Sequence, residues 1–233
     1  RGNMTDERTG RSHLSELGEL TRSRIAAGLH RTLSPRPPGP AELLDLASND
    51  YLGMHDHPAV IDAAAAALHD YGLGSTGSRL VTGATGVHDE LEDALAAFMG
   101  FGSALTASSG YMANLAAVTA LAGRDDLIVS DGGSHASLID ACRLSRARVA
   151  VTPLGDVAAI EEALASRTES RALVISDAVY STSGDVADVR ALYDVARAHG
   201  AALLVDEAHG LGVVGPGGRG AVAAAGLSGA PDL

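Results

Sequence analysis

The sequence predicts an α/β domain of three layers, with helices on both faces of a mostly parallel sheet. Short apolar runs alternate with helical stretches from about residue 104 onward, the rhythm of strand–helix–strand units. The runs are apolar throughout, as expected of strands buried on both faces. Polar residues gather just after them: Ser108-Ser109-Gly110, Asp131 to His135, Asp177 with Ser181, and Asp206 with His209. Open α/β sheets bind ligands at that edge, beyond the carboxyl ends of the strands.

An arm comes first. Leu14, Leu17, Leu20, Arg24, Ile25 and Leu29 recur at helical spacing, and the proline-rich run Ser34 to Pro40 ends the helix, because proline fixes φ and withholds an amide donor. Residues 1–13 read as a tag-like, disordered start, 14–50 as the helical arm and stiff linker, and 51–233 as a cofactor-binding large domain that is incomplete. In that domain Pro58 opens a helix over 59–70, a glycine-rich stretch covers 72–86, and a helix covers 87–99. Strands follow at 104–107, 127–130, 148–152, 172–176 and 201–205. Helices separate them: one after Tyr111, then 137–145, 157–165 and 187–199.

Composition narrows the partners. A chain of 233 residues, 46% hydrophobic and 20% charged, buries a substantial core. A formal charge of −12 argues against a nucleic acid, whose affinity rests on clustered cations, and favours small-molecule ligands. Cys142 stands alone, so no intrachain disulfide forms and a reducing, cytoplasmic setting is expected. No apolar run approaches the ~20 residues that span a bilayer, and the start is too polar for a secretory signal.

Asp206-Glu207-Ala208-His209 at a strand end invites a nucleotide-hydrolysis reading. That chemistry needs a phosphate loop with a lysine, and none of the 17 basic residues is a lysine. Three stretches match G-x-G-x-x-G, at Gly72, Gly210 and Gly215, but none has the strand before and helix after that a dinucleotide fingerprint requires. The scattered His residues and single Cys show no metal-ligand spacing. Asp206 by itself reads equally well as a turn former, and Ser109 as an ordinary helix cap. His135 by itself is a loop histidine. His209, three residues after Asp206 and followed by glycines that permit close backbone approach, favours a bound cofactor. The helix start after Ser109 offers free amides to an anion without any lysine.

Several blocks occur in one order: Ser48-Asn49-Asp50-Tyr51-Leu52-Gly53, Thr76 to Gly83 with His88 and Leu91-Glu92, Ser109-Gly110-Tyr111 with Ala113-Asn114, Ser134-His135-Ala136-Ser137, and Val205 to Gly210 with Gly218-Arg219-Gly220. From about residue 14 to the end the chain resembles the α-oxoamine synthases, pyridoxal 5'-phosphate (PLP) enzymes of the type I aminotransferase fold. The resemblance implies that Asp206 pairs with the pyridine nitrogen, making the ring an electron sink. It implies that His209 and Ser181 hydrogen-bond around the phenolic oxygen, and that Gly110 and Tyr111 lie near the phosphate. His135 would stack on the ring and help position substrate, Asn49 would contact substrate or product, and Asp177 would stand behind the site. A substrate-binding arginine of the family's first helix would fall at Arg31, after Leu29 and His30.

The wording of Ser48–Gly53 and Gly77–Gly83 is most like the member that makes 8-amino-7-oxononanoate on the way to biotin. The implied reaction is a decarboxylative condensation of L-alanine with pimeloyl-CoA or pimeloyl-acyl carrier protein, in a homodimer. Glycine C-acetyltransferase and 5-aminolevulinate synthase are the alternatives within the family, and a non-catalytic binding module the alternative outside it. The family also needs a Schiff-base lysine, placed shortly after a segment like Pro231-Asp232-Leu233, and a C-terminal small domain with a carboxylate-binding arginine. Neither occurs in these 233 residues. The expectation is the first part of a longer enzyme, or a chain broken at a modified lysine.

Overall fold

The computed structural model describes residues 13–36, 38–39 and 44–233. The expected tag-like start lies outside these residues except for His13, as do Pro37 and Pro40 of the linker. The chain divides into two units, 1–47 and 48–233.

In the first unit, α1 (His13–Ala26) realises the amphipathic helix but ends before Leu29. Gly28 takes φ +69° there, and the Leu29 amide reaches back to the Arg24 carbonyl at 2.8 Å, the left-handed closure that glycine permits. Arg31 lies beyond it, exposed.

The second unit opens with α2 (Pro58–Tyr71) and α3 (Gly86–Met99). Thr85 and His88 form a reciprocal capping box at the start of α3. Four units of helix and strand follow: α4 (Gly110–Leu121), β1 (Asp126–Asp131), α5 (Ala136–Ser145), β2 (Arg148–Thr152), α6 (Val157–Ala165), β3 (Arg171–Asp177), α7 (Val189–Ala198) and β4 (Ala202–Asp206). A short α8 (Gly220–Ala224) closes the described chain's elements. The four strands are all parallel, in the order β2-β1-β3-β4.

Successive side chains on a strand point to opposite faces, and the core divides accordingly. Leu127, Val129, Val174 and Leu203 pack with Ile160 and Leu164 of α6 and Leu192 and Ala196 of α7. Ile128, Leu173, Ile175 and Leu204 pack with Val118 of α4 and Leu138, Ala141 and Cys142 of α5. This is the three-layer arrangement the apolar strands predicted. Burial on both faces holds fully for β1 and almost fully for β3, whereas β2 pairs only with β1 and leaves Arg148 and Val149 exposed. At the opposite end from the cleft, Arg171 grips Asp126 with two bonds of 2.8 and 2.6 Å and pins the starts of β1 and β3 together.

One expected strand does not form. Residues 104–107 carry no sheet pairing, because side chains take their backbone groups. The Thr106 amide donates to Glu92 Oε1 at 2.6 Å, and its carbonyl accepts from Arg79 Nη1 at 3.2 Å. Arg79 and Glu92 are themselves paired in a bidentate bond of 2.6 and 3.0 Å, which with the Thr106 contacts draws the Glu92 carboxyl down to about 2. No described helix is long and apolar enough to cross a membrane.

Ile128 is fully buried between β1 and the α4–α5 layer. Replacement by alanine is expected to destabilise the protein by about 2–5 kcal/mol, read as a lower urea midpoint at unchanged slope.

Candidate active site

Because the strands are parallel, Asp131, Asp177 and Asp206, the last residues of β1, β3 and β4, come to one edge of the sheet. Asp177 and Asp206 are register partners. A cleft of about 340 Å³ lies at this edge, lined by Asn49, Gly110, Tyr111, Ala113, Asn114, His135, Ser137, Asp177, Asp206, Ala208 and His209.

Asp206 is held from two sides. Its Oδ1 accepts the Ala208 amide at 2.9 Å, and its Oδ2 accepts Nδ2 of Asn114, one turn into α4, at 2.7 Å. The same Asn114 amide donates to Ser137 Oγ at 2.9 Å. Ser137 in turn fixes His135, whose Nδ1 receives the Ser137 hydroxyl at 2.7 Å and the Ser137 backbone amide at 3.2 Å. With two donors aimed at Nδ1, the neutral ring carries its proton on Nε2. The His135 backbone amide is anchored separately, to Asp177 Oδ1 at 3.2 Å.

His209 meets Tyr51, with the hydroxyl 2.7 Å from Nδ1 and the rings in an edge arrangement 6.2 Å apart. Tyr51 also donates to Asn49 Oδ1 at 3.3 Å. On the far wall, Tyr111 donates to Asp140 Oδ2 at 2.6 Å, and that bond raises the phenol's pKa above its usual range. Gly110 and Tyr111 open α4, where the first amides have no partner inside the helix. A Cβ at Gly110 would meet no protein atom within 4 Å.

The carboxyls at this edge differ in their partners. Asp131 accepts the Tyr180 hydroxyl at 2.7 Å and the Gly133 and Gly155 amides at 3.0 and 3.2 Å. Asp177, 2% exposed, has only the His135 amide among the described residues. Burial, with the charges of Asp206 and Asp131 adding to it, pushes Asp177 up to about 6.

Seven residues expected at the site therefore line the cleft: Asn49, Gly110, Tyr111, His135, Asp177, Asp206 and His209. Ser181 is not in the lining. It sits in an exposed turn closed by the bond from the Gly184 amide to the Tyr180 carbonyl, 2.8 Å long. Arg31 belongs to the other unit. Asn114, Ser137 and Tyr51 lie inside the ordered sequence blocks, where nothing local points to their roles. Asn114 falls one helical turn after Gly110, a spacing that puts both on one face.

The donor set fits a flat, anionic heteroaromatic group: a carboxylate fixed at one end, a helix start at the other, and two oriented imidazoles along the sides. The family model for aminotransferase class I and II matches residues 41–233, and the chain belongs to that family. Within it, the chain is similar to the α-oxoamine synthases. The 8-amino-7-oxononanoate synthase of Mycolicibacterium vanbaalenii is 61% identical over 226 residues, 97% of this chain and 59% of the relative. That of Mycobacterium avium is 59% identical over 95% of this chain and 58% of the relative. The chain thus spans about three-fifths of the length of the curated relatives it matches. Among solved structures, serine palmitoyltransferase of Sphingomonas wittichii superposes with a TM-score of 0.85 at 35% identity, over 95% of this chain and 59% of that one. A serine palmitoyltransferase solved with PLP gives 0.84 at 34%, with the same coverage. The 8-amino-7-oxononanoate synthase of Francisella tularensis gives 0.70 at 28%, over 82% and 53%.

Asp177 yields a pH test. Its proton is held to about pH 6 in the folded protein but leaves near 3.8 when unfolded, so the folded state binds more protons in between. Stability therefore falls as pH rises from about 4 to 6, by about 3 kcal/mol. In Asp177→Asn this part of the slope is expected to vanish, checked by urea unfolding across that range.

Proposed function

We propose that this chain forms the cofactor-binding part of a PLP-dependent 8-amino-7-oxononanoate synthase, which condenses L-alanine with a pimeloyl thioester and releases CO₂. The observation that carries the reading is the string Asp206–Asn114–Ser137–His135, which joins a strand-end carboxylate to an imidazole across one cleft. Relatives about 60% identical bear that name, which supports the reading.

When bound, PLP supplies an electron sink that stabilises negative charge on the carbon beside an amino acid's nitrogen. The residues of this chain would do the rest. Asp206, oriented by Asn114 and Ala208, would hold a proton at the ring nitrogen. The free amides at the start of α4 would take the phosphate. His135 would cover the ring face with its Nε2–H available to an acceptor, and its fixed Nδ1 prevents the imidazole from turning away. His209, steadied by Tyr51, would hydrogen-bond the phenolic oxygen. Asn49, beside Tyr51, is the residue placed to meet the amino acid's polar end. We assign Ser181 and Arg31 no contact in this scheme. The amine that binds PLP covalently is not among these 233 residues, which contain no lysine.

We also infer a homodimer. Helix α2 buries none of its residues although it is mostly alanine, valine, isoleucine and leucine, and Leu73, Leu80 and Val81 nearby in sequence are 92%, 98% and 78% exposed. Apolar exposure on this scale marks an interaction surface.

Calorimetric titration with PLP is expected to show saturable binding that weakens at least about tenfold in Asp206→Ala, since a charge-assisted bond is lost. Unchanged affinity would remove Asp206 from its role. For the protein with its lysine, CO₂ release should be fastest with alanine and pimeloyl thioester; faster turnover of glycine with acetyl or succinyl thioester would reassign the substrates. Sedimentation should give a dimer, and Ile61→Asp on α2 should shift it toward monomer.

A further inference from the structure

Glu207 follows Asp206 directly and does not line the cleft, yet the chain is folded around its side chain. Oε1 accepts the Val222 amide of α8 at 2.7 Å. Oε2 is shut off from solvent and has no hydrogen-bond partner among the described residues. Two glycines make the room for this carboxyl. A Cβ at Gly210 would overlap Oε2, and one at Gly220 would lie 2.5 Å from the carboxyl carbon.

The backbone of the same residue closes the turn that carries His209. The Glu207 carbonyl accepts the Gly210 and Leu211 amides at 3.0 and 2.9 Å. One residue therefore braces His209 twice: its carbonyl closes the turn, and its side chain ties the turn's first residue to the start of α8. The intervening loop is closed on itself by the bonds from the Gly212 amide to the Gly218 carbonyl, 2.7 Å, and from the Gly220 amide to the Val214 carbonyl, 2.9 Å. It also reaches across to the Tyr51 segment, where a Cβ at Gly212 would lie 3.2 Å from Leu52 Cδ1. Burial raises the Glu207 carboxyl above its ordinary value.

We propose that Glu207 is a positioning residue, which holds His209 at the cleft by wedging the glycine turn against α8 through shape and hydrogen bonding rather than charge. The proposal deepens the cofactor reading and rests on it for only one of its two readouts.

Glu207→Gln, Glu207→Ala and Glu207→Asp would be made alone and together with His209→Asn. In protein without cofactor, the ¹⁵N resonances of the His209 ring, assigned by their loss in His209→Asn, should hold their positions in Glu207→Gln and shift in Glu207→Ala, with far-UV dichroism unchanged. In titrations with PLP, Glu207→Ala should weaken affinity about tenfold in the parent but less than about threefold when His209 is already Asn, because residues acting through one another are non-additive. Glu207→Gln should stay within about threefold of the parent. Equal losses in both backgrounds, unmoved His209 resonances in Glu207→Ala, or a Gln variant as impaired as Ala would each overturn the proposal. If Glu207→Ala does not fold, Glu207→Asp, too short to reach Val222, takes its place in the same comparison. A parent that does not bind PLP would overturn the cofactor reading and leave the ring resonances to decide the role of Glu207.

Discussion

The site depends on one side-chain amide. Asn114 gives its two Nδ2 protons to Asp206 Oδ2 and Ser137 Oγ, and those acceptors come from the end of β4 and the first turn of α5. A helix on one face of the sheet, a strand within it and the helix that carries His135's cap are thereby locked to common coordinates. Each bond contributes on the order of 1 kcal/mol or somewhat more, because one acceptor is a carboxylate. Their greater effect is directional. With Asn114 fixed, Asp206 has one orientation, and Ser137 has its hydroxyl proton free only for His135.

The parallel sheet creates an electrostatic problem along with the site. Three aspartates end up together at one edge in a chain of net charge −12. The structure resolves it by giving each a different environment. Asp131 is surrounded by donors, Asp206 keeps two and faces the cleft, and Asp177 between them has one. The least supplied of the three, Asp177, is the one pushed up to about 6. A cation held at Asp206 would relieve part of that repulsion.

Much of this was legible in the sequence because it is local. Continuous apolar runs gave β1, β3 and β4 to within a residue or two at each end, and the strand ends pointed to Asp177 and Asp206. The edge position of β2 was not legible: Arg148–Thr152 looks like its neighbours, and only the pairing order exposes it. Residues 104–107 misled because the groups that capture Thr106 lie 14 and 27 positions away. The Tyr51–His209 contact spans 158 positions, so no spacing rule could reveal it. Asn114 stands in an ordered sequence block, yet its partner lies 92 residues on. In sequence Glu207 is only part of a tetrad, because its packing against Gly210 and Gly220 exists only after the loop has closed.

The 158-residue reach between Tyr51 and His209 also has a meaning in time. During synthesis the Asn49–Tyr51 segment, α4 and the His135 turn all leave the ribosome well before β4, and long-range pairings of this kind form late. The Asp206 end of the cleft cannot exist until β4 docks beside β3. Cofactor capture at Asp206 is therefore available only to chains in which β4 has docked, and ligand binding draws the population toward that state by mass action. The small molecule would act as an inspector of that docking.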